Sequence, residues 1–381
     1  MLKLLRCTAF VLPVLSLLMP SPVLADLIPP PQPNAKSWLL VDHESGTVMA
    51  ESRPDEQVDP ASLTKLMTAY LTFKALKTGQ LKPDQTVPVS VKAWKTGGSK
   101  MFIAPDRPVT VEELLKGMII QSGNDACVAL AEVIAGSEEA FAQMMTREAQ
   151  RLGMTGTQYR NANGLTEAGH FTTARDLSLL ARALIRDFPE YYGLYSTLDY
   201  TYNNIKQGNR NRLLTIDPSV DGLKTGFTDA AGWCLVSSAR RDGRRVVSVL
   251  LGAPNENGRI ESSRALLNYG FNAYENAKLA SAGEALGQPA VYKGAAAQVT
   301  VGPASDVVLT LPRGQAAKAT RDIVLTTPVI APIAVGQQLG TMKLLLDGQP
   351  VGEVALVAQT AVEEGGFFRR IWDTIRLWFG W

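Results

Sequence analysis

Pro60-Ala61-Ser62-Leu63-Thr64-Lys65-Leu66-Met67-Thr68-Ala69-Tyr70-Leu71 is the stretch on which the fold turns. Leu66, Met67, Tyr70 and Leu71 recur at three- and four-residue spacing, which predicts a helix beginning at Pro60-Ala61-Ser62. Residues three apart on a helix share a face, so the Lys65 amine is within reach of the Ser62 hydroxyl. That places a nucleophile beside a base. A lysine is a base only when burial or a second cation lowers its pKa. Alone, Ser-x-x-Lys is weak, because a capping serine with a surface lysine produces the same pattern.

Working outward, Ser37–Asp42 and residues 47–52 are extended patterns around His43-Glu44-Ser45-Gly46 and predict a β-hairpin. Helical spacing recurs over 111–121, 125–134, 138–152 and 173–186. Strand grammar returns at 233–239 and 245–252 around Asp242-Gly243, and a last helix over 264–269 is expected to stop at Gly270. A hairpin at each end of a helical middle implies an α+β domain, a mixed sheet with a helical insert. Short β-branched runs at 298–301, 307–311, 323–326, 343–346 and 353–357 then predict a small all-β domain. A length of 381 residues agrees with two domains, since single cores stop growing at roughly 250 to 300 residues.

The ends carry their own signals. Lys3 and Arg6, an apolar run from Ala9 to Leu18 and the ending Val23-Leu24-Ala25 read as a secretory signal peptide cleaved near Ala25. Its removal brings the 38 basic residues level with the 36 acidic ones, which gives no electrostatic reason to expect nucleic acid. Cys127 and Cys234 then remain, as two buried thiols or one bridge. At the other end Phe367, Phe368, Ile371, Trp372, Ile375, Trp378 and Phe379 share one helical face, with Arg369, Arg370, Asp373 and Arg376 opposite. This suits an amphipathic helix lying on a membrane surface, from Phe367 to Trp381, after a Gly365-Gly366 hinge. The competing reading is a helix docked on the protein itself.

Two further elements join Ser62 and Lys65. Ser122-Gly123-Asn124 offers a hydroxyl and an amide from a loop between helices, able to relay a proton and hold a substrate amide. Lys224-Thr225-Gly226 lies in an extended stretch, where a glycine allows close approach of another backbone and Lys224 supplies a second cation. Ser-x-x-Lys, Ser-Asp-Asn and Lys-Thr-Gly are the signature of penicillin-binding proteins and class A β-lactamases, and here they stand in this order with Ser-Gly-Asn as the version of the second motif. The sequence resembles the low-molecular-weight penicillin-binding proteins, D-alanyl-D-alanine carboxypeptidases of the penicillin-binding-protein 5 type, over essentially the whole mature chain.

That resemblance implies a β-lactamase/transpeptidase-like domain over 26–277, a small β-rich domain over 278–362 and an anchoring helix over 363–381. It implies a serine-type enzyme on the periplasmic face of the bacterial inner membrane, trimming the terminal D-Ala of peptidoglycan stem pentapeptides and inhibited covalently by β-lactam antibiotics. Ser62 would be the nucleophile, Lys65 its proton acceptor, and Ser122 and Asn124 the second wall. Lys224, Thr225 and Gly226 would bind the substrate's carboxylate region together with Arg210 and Arg259, and the N–H groups of Ser62 and Phe227 would form the oxyanion hole. Two positions depart from close relatives: Phe227 stands where some have histidine or threonine, and Asn163 where some have histidine. Zinc and nucleotide motifs are absent, so no metal or cofactor is expected.

Rival chemistries fare less well. A Ser-His-Asp hydrolase would have to use His43 or His170, both expected at the surface, and Ser62 lacks a Gly-x-Ser-x-Gly elbow. A β-lactamase needs a deacylating carboxylate, for which Glu167 is the nearest candidate in the wrong context. A D,D-endopeptidase of cross-links and a non-catalytic wall-binding protein remain the alternatives.

Overall fold

The computed structural model describes residues 28–379. The expected signal peptide, residues 1–25, lies outside the described residues, as does Trp381. Strand β1 (Ser37–Asp42) is buried along its whole length because it runs inside a sheet covered on both faces. Successive side chains alternate, so Trp38 and Leu40 enter one apolar core while Leu39 and Val41 enter the other. Beside it lie β2 (Val48–Ser52) and β5 (Arg244–Ala253), and the sheet continues through β4 (Gly232–Arg241) to β3 (Val220–Thr228). The order is β2-β1-β5-β4-β3, so strands from both ends of the domain meet at β1 and β5. Every pairing in it is antiparallel, which corrects the expected mixed sheet. The reason is connectivity: three of the four neighbouring pairs are hairpins, which can only be antiparallel.

On one face packs α6 (Glu256–Ala273), longer than its spacing predicts. It begins where the Asn255 side chain accepts the Gly258 N–H, a polar cap that hydrophobic periodicity does not register. It also runs through Gly270 rather than stopping there. A Cβ at Gly270 would stand 3.1 Å from Met49 and Val246 and 3.2 Å from Leu40, so this glycine lets the helix lie close on the sheet.

The other face carries the helical insert. Its centre is α1 (Lys65–Lys77), buried nearly all round, with a short 3₁₀ turn, Ala61–Thr64, leading into it. Around it lie α2 (Val111–Lys116), α3 (Asn124–Ala135), α4 (Glu138–Arg151) and α5 (Ala174–Asp187). Thr110 and Glu113 close a reciprocal capping box at the start of α2.

Strand β6 (Tyr274–Ala280) continues directly from α6 and pairs with β8 (Val307–Pro312), so it crosses the expected boundary at 277 and 278. The second domain's main sheet runs β7-β11-β10-β9 through β7 (Val301–Pro303), β9 (Ala319–Leu325), β10 (Gln338–Leu346) and β11 (Gln349–Ala358). Val301, Leu339, Met342 and Leu356 lie in its core. The Arg313 guanidinium donates to the carbonyls of Phe271 and Asn272, and Ser45 meets Thr310 at 2.6 Å, joining the two domains.

Helix α7 (Phe367–Phe379) closes the described chain. Its polar side faces the protein: buried Asp373 accepts the Lys293 N–H at 2.6 Å, and Arg369 donates to the Ala296 carbonyl. Phe368 and Trp378, each 85% exposed, point away. No described helix is long and apolar enough to cross a membrane.

Gly270→Val is expected to force the α6 contact apart and destabilise the first domain by about 1–3 kcal/mol. Urea unfolding checks it, as a lower midpoint at unchanged slope.

Candidate active site

The 3₁₀ turn carries Ser62 at the mouth of a cleft of about 280 Å³, on whose walls are also Ser99, Ser122, Thr225, Phe227 and Trp233. The turn is strained and tightly held. Ala61 has a φ of +46° and donates its N–H to the Asp59 carboxylate at 2.9 Å. Gly164 presses on it from one side, where an added Cβ would sit 1.8 Å from the Ala61 carbonyl oxygen. Gly226 presses from the edge strand β3, where a Cβ would lie 3.3 Å from Ala61, Leu63 and Pro60. The backbone that the glycine of Lys-Thr-Gly accommodates is therefore the nucleophile's own turn.

Lys65, 1% exposed, begins α1 directly behind Ser62. Its Nζ lies 2.9 Å from Ser62 Oγ and 2.7 Å from Asn124 Oδ1, and it bonds the Asn163 carbonyl. Burial drives its pKa below the ordinary lysine range. Lys224 is also buried, and its pKa is held well below the ordinary lysine range, first by burial and then by the charge of Lys65. It donates to the Thr225 carbonyl, while Thr225 and Gly226 border the cleft.

The second wall rests on a left-handed residue. Ser122, with φ of +68°, ends a π-helical turn over Gly117–Gln121 and lines the cleft. Asn124 Oδ1 is engaged by Lys65 and its Nδ2 donates to the Gly97 carbonyl at 2.7 Å. Sequence reasoning missed Asp125, whose buried carboxylate accepts the N–H groups of Met101 and Phe102 and ties that loop to α3. Its signal was a lone acid opening an apolar helix. It also missed Glu138, which accepts from the Ala162 N–H and the Asn163 side chain, and so holds the carbonyl that meets Lys65.

Both arginines reach the cleft. Arg210 is exposed at its wall, and Arg259 is buried, its guanidinium over the Trp233 ring at 5.0 Å and 3.2 Å from Glu256. A larger hollow of about 520 Å³ between α1 and α4 is lined by Lys74, Glu148 and Arg151, which are paired with one another. It brings no nucleophile and base together.

Residues 26–255 match the family described as D-alanyl-D-alanine carboxypeptidase, and residues 274–364 match the penicillin-binding protein 5 C-terminal domain. The chain belongs to the D-alanyl-D-alanine carboxypeptidase family. It is 42% identical over 362 residues to D-alanyl-D-alanine carboxypeptidase DacC of Escherichia coli, covering 92% of this chain and 90% of that protein. Crystal structures of penicillin-binding protein 5 from Haemophilus influenzae are similar at 37% identity with a TM-score of 0.81, over 88% of this chain and 100% of that one. Penicillin-binding protein D2 from Listeria monocytogenes in its ampicillin-bound form is similar at 32% identity with a TM-score of 0.58, over 62% of this chain and 97% of that one. The carboxypeptidase domain and the small β domain thus each match a known domain family.

Within this carboxypeptidase the remaining expected residues fall as follows. Cys127 and Cys234 are both free and buried. Glu167 accepts from the Asn161 side chain at 3.0 Å and is not part of the wall around Ser62. His170 is not at the surface, a correction. His43 is partly buried, and His170 is 5% exposed, held on the inner side of the 160–170 loop. Its Nδ1 accepts the Arg160 N–H, so Nε2 carries the proton and donates to Thr64 Oγ1 at 2.8 Å. This histidine braces the nucleophile's turn and does not touch Ser62.

Burial lowers the His170 pKa to about 4. The unfolded chain, with a histidine pKa near 6.5, binds the proton first as pH falls, so stability is full above about 6.5 and is lost toward 4. This residue alone accounts for about 3 kcal/mol of that loss. Urea unfolding between about pH 7 and 4 is expected to show a loss smaller by that amount in His170→Gln.

Proposed function

We propose that this carboxypeptidase acts through an acyl-enzyme on Ser62 with Lys65 as the base. The observation that carries the reading is how the Lys65 nitrogen is surrounded. A neutral amine has two N–H donors and one lone pair. Asn124 Oδ1 and the Asn163 carbonyl take the two donors, which leaves the lone pair toward Ser62 Oγ. The depressed pKa favours that neutral form relative to an ordinary lysine.

In the proposed sequence Lys65 takes the Ser62 proton as Oγ attacks the carbonyl of the penultimate D-Ala. The N–H groups of Ser62 and Phe227 receive the developing oxyanion, with the first-turn N–H groups of the helix adding their favourable field. The leaving D-Ala amine regains a proton relayed from Lys65 through Ser122. Its carboxylate lies near Thr225, Arg210 and Arg259, with Lys224 behind the wall adding positive potential. Water then releases the shortened peptide. Asn124 serves as a positioning residue.

A β-lactam fits the same path, because its strained ring amide presents a carbonyl and a carboxylate at similar separation while its leaving group stays tethered to the acyl-enzyme. The ampicillin-bound Listeria relative supports this. Glu167 lies away from the Ser62 wall, so the reading includes slow release of penicillin.

We place the protein on the outer, periplasmic face of a bacterial inner membrane. The orientation of α7 supports this: Arg369 and Asp373 are turned to the β domain, and its aromatic face is offered outward. Truncation at Glu363 is expected to release the protein from membranes in a flotation assay.

Incubation with a peptide ending in D-Ala-D-Ala is expected to release D-alanine and to do so no longer in Ser62→Ala, which also loses penicillin labelling by intact mass. Labelling without release would instead favour an endopeptidase or an idle binder. Acylation requires neutral Lys65, so its rate should rise with pH and level off, with the rise below the ordinary lysine pKa of about 10.4. A flat profile would exclude Lys65 as the base.

A further inference from the structure

Arg259, Trp233 and Phe227 form a stack along one wall of the cleft. The Arg259 guanidinium lies 5.0 Å from the Trp233 ring centre, and the Trp233 and Phe227 rings are 4.4 Å apart at 38°. Arg259 is 3% exposed and its Nε has no hydrogen-bond partner, whereas Phe227 is 48% exposed on the cleft. A buried cation thus adjoins an uncovered aromatic surface at the place where a substrate enters. The conformation of β3 puts Phe227 there directly after Gly226, whose contact with the Ser62 turn fixes its distance from the nucleophile.

We propose that this stack selects the leaving residue: its carboxylate engages Arg259 while its side chain lies along Trp233 and Phe227. The enzyme then favours unbranched aliphatic D-residues longer than alanine at the C-terminal position. The inference rests on the reading of Arg259 as a carboxylate receptor. The Cα of that residue is one bond from the carboxylate carbon, so its side chain begins beside whatever holds the carboxylate. A D-alanine methyl covers little of an aromatic ring. Each further methylene laid on Phe227 leaves water, an effect of about fourfold in kcat/KM. Glu256, 3.2 Å from Arg259 and 3.6 Å from Arg212, puts negative charge on the same wall and disfavours acidic side chains there.

The test is kcat/KM for one acyl-peptide ending in D-Ala-D-Ala, D-Ala-D-2-aminobutyrate or D-Ala-D-norvaline, with the full chain, Phe227→Thr and Trp233→Leu. Comparing substrates within each variant cancels any loss of overall activity. The wild type is expected to gain about fourfold per methylene, and the norvaline-to-alanine ratio to fall about tenfold in each variant. A wild-type series that is flat or falls with chain length overturns the proposal without reference to the variants, as does an equal ratio in all three proteins. Cleavage of the D-Ala peptide alone removes the proposal and leaves the carboxypeptidase reading standing. Cleavage of none of the peptides removes both.

Discussion

A lysine amine withdrawn from water beside the nucleophile's turn is the constraint around which this molecule is arranged. Each of its polar groups left unpaired in that position would cost about 1–3 kcal/mol, so partners must be delivered to it. They come from three places: Ser62 in the adjoining turn, Asn124 at the start of α3, and the Asn163 carbonyl in the loop before α5. The last two are 59 and 98 residues away in sequence. Each is held in turn. Asn124 also grips Gly97, and Glu138, paired with Lys92, holds Asn163 while Thr68 holds the Ala162 carbonyl. The amine is thereby given two fixed acceptors, with Ser62 as its third partner.

The same arrangement explains where strain and glycine occur. Ala61 and Ser122 adopt positive φ on opposite sides of the cleft, and Gly164 and Gly226 close on the nucleophile's turn. Strain of this sort persists only where neighbouring structure over-determines it. Here the neighbours are the sheet edge, the Asp59 carboxylate and the His170 brace. A site held in this way is preorganised for acylation, since little remains to be ordered when substrate arrives.

The second domain obeys a different economy. It has its own apolar core, joins the first through backbone-directed contacts such as those of Arg313, and receives α7 by that helix's polar side. An amphipathic helix usually buries its apolar face against its own protein. The reversal leaves Phe367, Phe368, Trp372 and Trp378 uncovered.

What the sequence by itself determined was local or short-range: the hairpin around residues 43–46, the Ser62 and Lys65 pairing on one face, the short β runs, and the amphipathic character of 367–379. These follow from periodicity and turn chemistry, which neighbouring residues set among themselves. Spacing misjudged α6, because a polar cap at Asn255 opens it and Gly270 serves a sheet it cannot see along the chain. Only the tertiary structure decided that Asn124 meets Lys65, that His170 is buried, and that Trp233, Glu256 and Arg259 share a wall with Ser62. Those facts depend on contacts between segments far apart in sequence. Such contacts are fixed by how helices and sheet pack, and no pattern within either segment encodes them.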